Sequence, residues 1–191
     1  LCYAHANVRY ANALCVLGEG ALAMDALERI TPVAIHDKVK NALPRQANVH
    51  FSSSDGDFAT RFDVDYEALR RGEANAKGGW RLYSSGPGIF VHQLICQSLG
   101  VRIANGCLVL DPQLPDSMCG QTFTLQIEGT CVEFRYRLTS GCAVRRVLLN
   151  GTELPFEPFK NRYHATGAQV KLDALHVGLC TGRQNILELE S

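Results

Sequence analysis

The hydrophobic period of this chain changes once, near Gly100, and that change restricts the fold more than any other feature. Before it, apolar residues recur at helical spacing. Val8, Ala11, Leu14 and Cys15 form one such run and stop at Gly18. Ala21, Leu22, Ala26, Leu27 and Ile30 form a second and stop at Thr31-Pro32. A helix pair joined by the Gly18-Glu19-Gly20 turn fits both runs, because glycine and proline are the normal helix stops. Residues 33–80 carry no sustained period and are rich in Asn, Ser, Asp, Gly and Arg. A connection of that length inside a compact domain is usually functional or disordered. Val64–Arg71 fits one short helix within it, and Gly88–Leu99 fits another, with Phe90, Leu94 and Ile95 on one side and Gly100 as its stop.

From Val101 the period becomes that of strands. Val101–Ala104, Asn105-Gly106 and Cys107–Leu110 read as a hairpin, since both central residues of a type I′ turn need positive φ. Thr122–Ile127 and Cys131–Leu138 read as a second, around Glu128-Gly129-Thr130. In its second strand Val132, Phe134, Tyr136 and Leu138 face one way and Glu133, Arg135 and Arg137 the other. Val144–Leu149, Asn150-Gly151 and Thr152–Leu154 form a third, and Gln169–His176 and Asn185–Glu190 complete the set. Short, evenly spaced strands predict an antiparallel two-layer β-sandwich or jelly roll over residues 101–191, behind a helical unit over 1–100: an α+β chain.

Composition removes several classes of function. Nineteen Lys+Arg balance nineteen Asp+Glu, with no basic run. Nucleic-acid binding starts from clustered cations on phosphates, so no nucleic-acid partner is expected. The electrostatic half of a membrane anchor is missing too. Leu82–Val101, the longest uncharged run, is too polar to span a bilayer, so no membrane partner is expected either. At 46% hydrophobic and 20% charged, the chain can bury enough surface to offset its ordering entropy. It opens at Leu1 inside a patterned segment, as a piece of a longer protein would. Eight cysteines include no C-x-x-C pair and no zinc-ligand spacing, so no metal is expected. They read as buried free thiols acting as small hydrophobes, which implies a reducing cytoplasm.

Three segments can carry chemistry. Gly78-Gly79-Trp80-Arg-Leu-Tyr83-Ser84-Ser85-Gly86-Pro87-Gly88 precedes a helix. Small and hydroxyl residues there leave N–H groups at the positive end of the helix dipole, which suits an anion, although a plain N-cap and tight turn explains the same residues. Tyr3-Ala-His5-Ala-Asn7 opens the first helix, where a histidine serves as a donor to an anion, as a cap, or as a core residue. Phe51-Ser-Ser-Ser-Asp55-Gly-Asp57 offers a carboxylate pair or an Asp-Gly turn. There is no G-x-S-x-G elbow and no H-E-x-x-H, and Cys15 has no placed base.

These segments, in this order, resemble glycoside hydrolase family 94, the inverting glycoside phosphorylases. Tyr3-Ala-His5-Ala-Asn7, then Ala13-Leu14, then Leu17-Gly18-Glu19-Gly20 is similar to the family's His-x-Asn helix and its Leu-Gly-x-Gly turn. Leu27-Glu28-Arg-Ile30-Thr-Pro32 is similar to the end of that helix pair. The 78–88 segment resembles the Gly-Gly-Trp-x-x-Tyr-Thr-Gly-Ser-Ala-Gly loop, and Leu99-Gly100-Val-Arg through Leu114-Pro115 resembles the approach to the C-terminal β domain. The Ser-Ser-Gly-Pro-Gly form is similar to the branch that includes cellobionic acid phosphorylases.

The resemblance implies the last helices of an (α/α)6 barrel over 1–100, followed by a C-terminal jelly roll over 101–191. It implies phosphorolysis of a β-glucosidic disaccharide or oligosaccharide, with inorganic phosphate as co-substrate, no cofactor and a sugar 1-phosphate as product. The general acid of the family lies upstream, so this part alone contains no catalytic residue and is expected to be inactive. His5 corresponds to a phosphate-binding histidine and Ser84 to a phosphate-binding threonine. Ser85 corresponds to the following glycine, whose N–H contributes, and here it adds a Cβ. Asn7, Asp55 and Tyr83 fall on segments beside the substrate. A homodimer of the full-length protein is compatible with the resemblance. The alternative is a non-catalytic carbohydrate- or protein-binding sandwich, which would expose a row drawn from Phe123, Phe134, Tyr136, Phe156, Phe159 and Tyr163.

Overall fold

The computed structural model describes residues 4–31, 37, 40, 42–43, 59–60, 62–77, 86–139 and 141–191. The chain divides into two compact units. One holds Leu1–Ala13 and Leu22–Gln93, the other Leu14–Ala21 and Leu94–Ser191.

In the first unit, helix α1 (Ala4–Leu17) buries Val8 and Ala11, and α2 (Gly20–Glu28) buries Ala23, Ala26 and Leu27. Val8, Ala11, Ala26 and Leu27 are positions that helical spacing selects, whereas Ala21 and Leu22, which the same spacing placed on the buried face, are exposed and Ala23 is buried instead. The chain leaves α2 by tight turns, with the Thr31 hydroxyl donating to the Leu27 carbonyl at 2.8 Å. Strands β1 (Ala42–Leu43) and β2 (Ala76–Lys77) pair in parallel, with Ala42 beside Ala76 and Leu43 beside Lys77. Helix α3 (Tyr66–Arg71) is the short helix expected there, started by Asp65, whose carboxylate accepts the Ala68 N–H at 3.0 Å. Helix α4 (Pro87–Gln93) opens with proline, which lacks an N–H the first turn cannot use. Its buried Gln93 accepts from Asn12 of α1 at 3.1 Å. The helix expected over 88–99 is therefore two pieces, because Leu94–Ser98 winds as a π-helix.

The second unit is a β-sandwich. Strands β3 (Val101–Ala104), β4 (Cys107–Leu110), β9 (Glu157–Phe159) and β10 (Gly167–Lys171) form a four-stranded antiparallel sheet, in the order β3-β4-β10-β9. Strands β5 (Thr122–Ile127), β6 (Thr130–Arg137), β7 (Arg146–Leu149), β8 (Thr152–Glu153) and β11 (Asn185–Glu190) form the other, in the order β5-β6-β11-β7-β8. The three expected hairpins are present. Their turns Asn105-Gly106, Glu128-Gly129 and Asn150-Gly151 all have positive φ at both residues. Both sheets contribute to one core, including Leu108, Leu110 and Val170 from the first and Val132, Phe134, Tyr136, Val147, Leu187 and Leu189 from the second. Phe123 stacks on Phe134 at 5.1 Å and meets Tyr136 edge-on at 5.2 Å.

Four expectations are corrected. The sandwich is not wholly antiparallel: β11 runs parallel to β6 from Asn185↔Val132 to Glu190↔Arg137. The strand expected over 169–176 ends at Lys171, and Leu172–Gly178 is helix α5, which buries Leu175. Strand β9 was not anticipated; its Glu157-Pro158-Phe159 has no alternation to mark it, and Pro158 is tolerated at a sheet edge. Of the described cysteines only Cys15 is buried; Cys96, Cys107, Cys131 and Cys180 are half-buried, and Cys119 and Cys142 are exposed. Among the described residues, no helix is long and apolar enough to cross a membrane. Nor is any group of three or more His, Cys, Asp or Glu among them placed to hold a metal ion.

Candidate functional site

His5 lies in the first turn of α1, half-buried, and Asn7 follows it half a turn later. Ser84, Ser85, Tyr83 and Asp55 lie outside the described residues. Of the 78–88 segment the structure gives Gly86, whose carbonyl accepts the Phe90 N–H at 3.2 Å, and the start of α4 at Pro87. Cys15 is buried with its Sγ 3.8 Å from the Ser98 hydroxyl. The aromatic row needed by a binding module does not form from Phe123, Phe134 and Tyr136: Phe134 and Tyr136 are buried, and Phe123 packs on both. Phe159 lies under the Arg102 guanidinium at 4.9 Å.

The Leu17-Gly18-Glu19-Gly20 motif has a clear physical role in the sandwich unit. The Gly18 N–H donates to the Cys15 carbonyl at 3.1 Å and the Glu19 N–H to Leu14 at 2.9 Å, the two bonds of a Schellman ending. Gly18 takes φ +87°, which glycine adopts without strain. Gly20 is required for a different reason: a Cβ there would stand 2.6 Å from the Gln113 carbonyl carbon. Segment 14–21 thus lies directly on the backbone that follows β4.

Beneath it is a buried polar cluster that the sequence reading did not find. Asp111 receives Gln113 Nε2 at 3.2 Å, with Arg102 at 3.6 Å and His164 Nδ1 at 3.7 Å. Arg102 also donates to the Cys96 carbonyl at 3.0 Å. Asn161 Oδ1 accepts the backbone N–H groups of Tyr163 and His164, at 2.7 and 3.0 Å. Its Nδ2 must therefore be the atom facing the Val16 carbonyl at 3.0 Å and His164 Nε2 at 2.7 Å. An amide nitrogen only donates, so Nε2 accepts and the imidazole proton sits on Nδ1, pointing at Thr166 Oγ1 (3.1 Å) and Asp111. The chain of bonds runs from the end of α1 to β3 through one histidine tautomer. No motif marks these residues, which are scattered over 102–166 and meet only when the sheet folds.

Burial pushes the Asp111 carboxyl above its ordinary value, and the Arg102 charge and the Gln113 hydrogen bond offset this only in part. The folded state therefore holds that proton more tightly than the unfolded chain. The associated stability is present below the ordinary value of 3.8 and is lost as pH rises through the higher folded value. Asp111→Asn removes the titration. The stability advantage of wild type over this variant is expected to shrink as pH rises above the ordinary value of 3.8. Urea unfolding of both proteins across that range measures it, and an advantage that grows with pH contradicts the reading.

Residues 100–186 match the family described as glycoside phosphorylase C-terminal domain. Over 170 residues the chain is 37% identical to the 1,2-beta-oligoglucan phosphorylase of Listeria innocua serovar 6a. That alignment covers 88% of this chain and 15% of the relative, so the chain spans a small part of the relative's length. The sandwich is of the glycoside phosphorylase C-terminal class. Together the two matches support a C-terminal fragment of a glycoside hydrolase family 94 phosphorylase, the resemblance that the order of its motifs carries.

Proposed function

We propose that this chain is the C-terminal part of an inverting phosphorylase that cleaves β-glucosidic oligosaccharides with inorganic phosphate, releasing a sugar 1-phosphate. The carrying observation is the 37% identity to an oligoglucan phosphorylase over 88% of the chain, which makes a β-1,2-linked glucan the first substrate to try. In this reading residues 1–100 are the last helices of an (α/α)6 barrel and 101–191 are a jelly roll. Phosphate attacks the anomeric carbon from the face opposite the leaving sugar, while an upstream carboxylic acid protonates the glycosidic oxygen. This is an inverting glycosidase in which an anion replaces the base-activated water. The site must hold that anion with positive charge and donors. His5 supplies one donor from the first turn of α1, and the Ser84 hydroxyl and Ser85 N–H supply others. Asn7, Asp55 and Tyr83 flank the sugar. The reaction needs no further cofactor, and the proposed setting is a cytoplasmic enzyme, homodimeric at full length. The 191-residue part alone is inactive because it lacks the acid.

The test uses the full-length protein with phosphate and β-1,2-linked oligoglucan, and reads sugar 1-phosphate release. His5→Ala is expected to raise KM for phosphate by about tenfold or more, the worth of one charge-assisted hydrogen bond of roughly 1.5–3 kcal/mol. KM for the glucan should change far less. An unchanged phosphate KM removes His5 from the site, and hydrolysis without phosphate dependence ends the phosphorylase reading.

A further inference from the structure

Two exposed thiols in the sandwich unit share one small cavity, and neither belongs to a strand. Cys119 ends the 3₁₀ turn Asp116–Met118, with its N–H on the Asp116 carbonyl at 3.0 Å. Its Sγ donates to the Leu138 carbonyl at 2.6 Å, just past the end of β6. Cys142 closes the next turn, its N–H donating to the Thr139 carbonyl at 3.0 Å. The two cysteines are thus tied to the carbonyls of consecutive residues, Leu138 and Thr139. Both line a cavity of about 40 Å³, together with Tyr136, Leu138, Thr139 and Gly141.

We infer that Cys119 and Cys142 form a dithiol site that closes to a disulfide when it meets a small-molecule disulfide oxidant such as oxidised glutathione. One cysteine thiolate attacks the oxidant, forming a mixed disulfide and releasing one reduced thiol. The second cysteine attacks the protein sulfur of that mixed disulfide and releases the other. Two protein thiols are oxidised by two electrons, one oxidant disulfide is reduced to two thiols, and the two protons end on those thiols. Closure requires the Cα atoms to come within about 7 Å, and the backbone can supply the movement. Gly141 sits at φ +74° with nothing within 4 Å of where a Cβ would stand, and Thr139, Gly141 and Cys142 lie outside the strands. The bridge ties the approach to β5 to the β6–β7 connection.

The rival pair is Cys131 and Cys180, whose carbonyls both accept from Asn185 Nδ2, at 3.3 and 3.0 Å. Cys131 is locked in the β5–β6 ladder opposite Gln126, and both residues are only half-exposed, so this pair is the poorer candidate. The inference uses only the sandwich unit and does not depend on the phosphate reading.

The test incubates the full-length protein with oxidised glutathione under native conditions, quenches in acid, alkylates with N-ethylmaleimide and maps the peptides by mass. The expected result is one crosslinked species joining the Cys119 and Cys142 peptides, lighter by two hydrogens, with loss of both alkyl labels. Cys142→Ser and Cys119→Ser should each leave the remaining cysteine as a mixed disulfide with glutathione. Recovery of both residues as alkylated thiols overturns the inference. So do separate mixed disulfides in wild type, or a bridge from either residue to any other cysteine.

Discussion

Gly100→Ala should cost the sandwich unit about 2–5 kcal/mol, which for a domain of roughly 100 residues lowers Tm by at least about 8 °C. Two penalties combine there. Gly100 has φ +70°, and a left-handed conformation costs an ordinary residue about 1–2 kcal/mol. An added Cβ would lie 2.2 Å from the Asp111 carbonyl carbon and 2.3 Å from Pro112 N. Overpacking of that kind costs about 1–3 kcal/mol when the neighbour cannot retreat. Asp111 cannot retreat cheaply: its N–H donates to the Gly100 carbonyl at 2.9 Å, and its side chain is held by the buried cluster. Gly106→Ala is the control, with φ +72° but no atom within 4 Å of its added Cβ. Thermal unfolding of the two variants should separate the conformational from the steric penalty. Equal losses would mean that the contact beneath Gly100 is soft.

Asn185→Ala should be nearly as damaging, at about 2–4 kcal/mol, although it removes no apolar surface. The side chain is fully buried at the start of β11. Its Oδ1 accepts the Cys180 N–H at 2.8 Å and Asn150 Nδ2 at 2.9 Å. Its Nδ2 donates to the carbonyls of Cys131, Cys180 and Arg183. One amide thus fastens the β7–β8 turn and the loop after α5 to β6. Truncation leaves several buried partners unpaired at once. Hydrogen exchange should quicken at the Cys180 amide, and also at Ile186, whose N–H rests on Asn150 Oδ1. Protection unchanged at both amides would show that water replaces the amide without loss.

The parts of the fold that were legible in sequence are those set by local chemistry. Positive φ at Asn105-Gly106 and Asn150-Gly151 follows from the residues themselves, and it fixes two hairpins. Alternation along Val132, Phe134 and Tyr136 identifies the buried face because the period of a strand is two. The Schellman ending at Gly18 is equally local. What was missed depends on partners far along the chain. The parallel pairing of β11 with β6 joins residues about fifty positions apart, and nothing in either strand states its direction. Leu172–Gly178 is helical because Leu172 and Leu175 lie one turn apart against the sandwich core, yet alternation fitted the same residues. The Asp111 cluster draws single residues from Arg102, Gln113, Asn161, His164 and Thr166, each unremarkable in its own neighbourhood. Of the residues proposed to hold phosphate, His5 lies on α1, while Ser84 and Ser85 fall outside the described residues.

The position of β11 between β6 and β7 also bears on how the protein is made. A ribosome delivers β5, β6, β7 and β8 as two hairpins well before residues 185–190 emerge. Until then β6 and β7 each present an unsatisfied edge, the kind of surface that recruits neighbouring nascent chains into aggregates. Completing the sheet means inserting one late segment between two early ones, a non-local step that is intrinsically slow. Glu133, Arg135 and Arg137 on one of those strands and Arg146 on the other supply charge of the kind that natural sheets use to blunt an open edge.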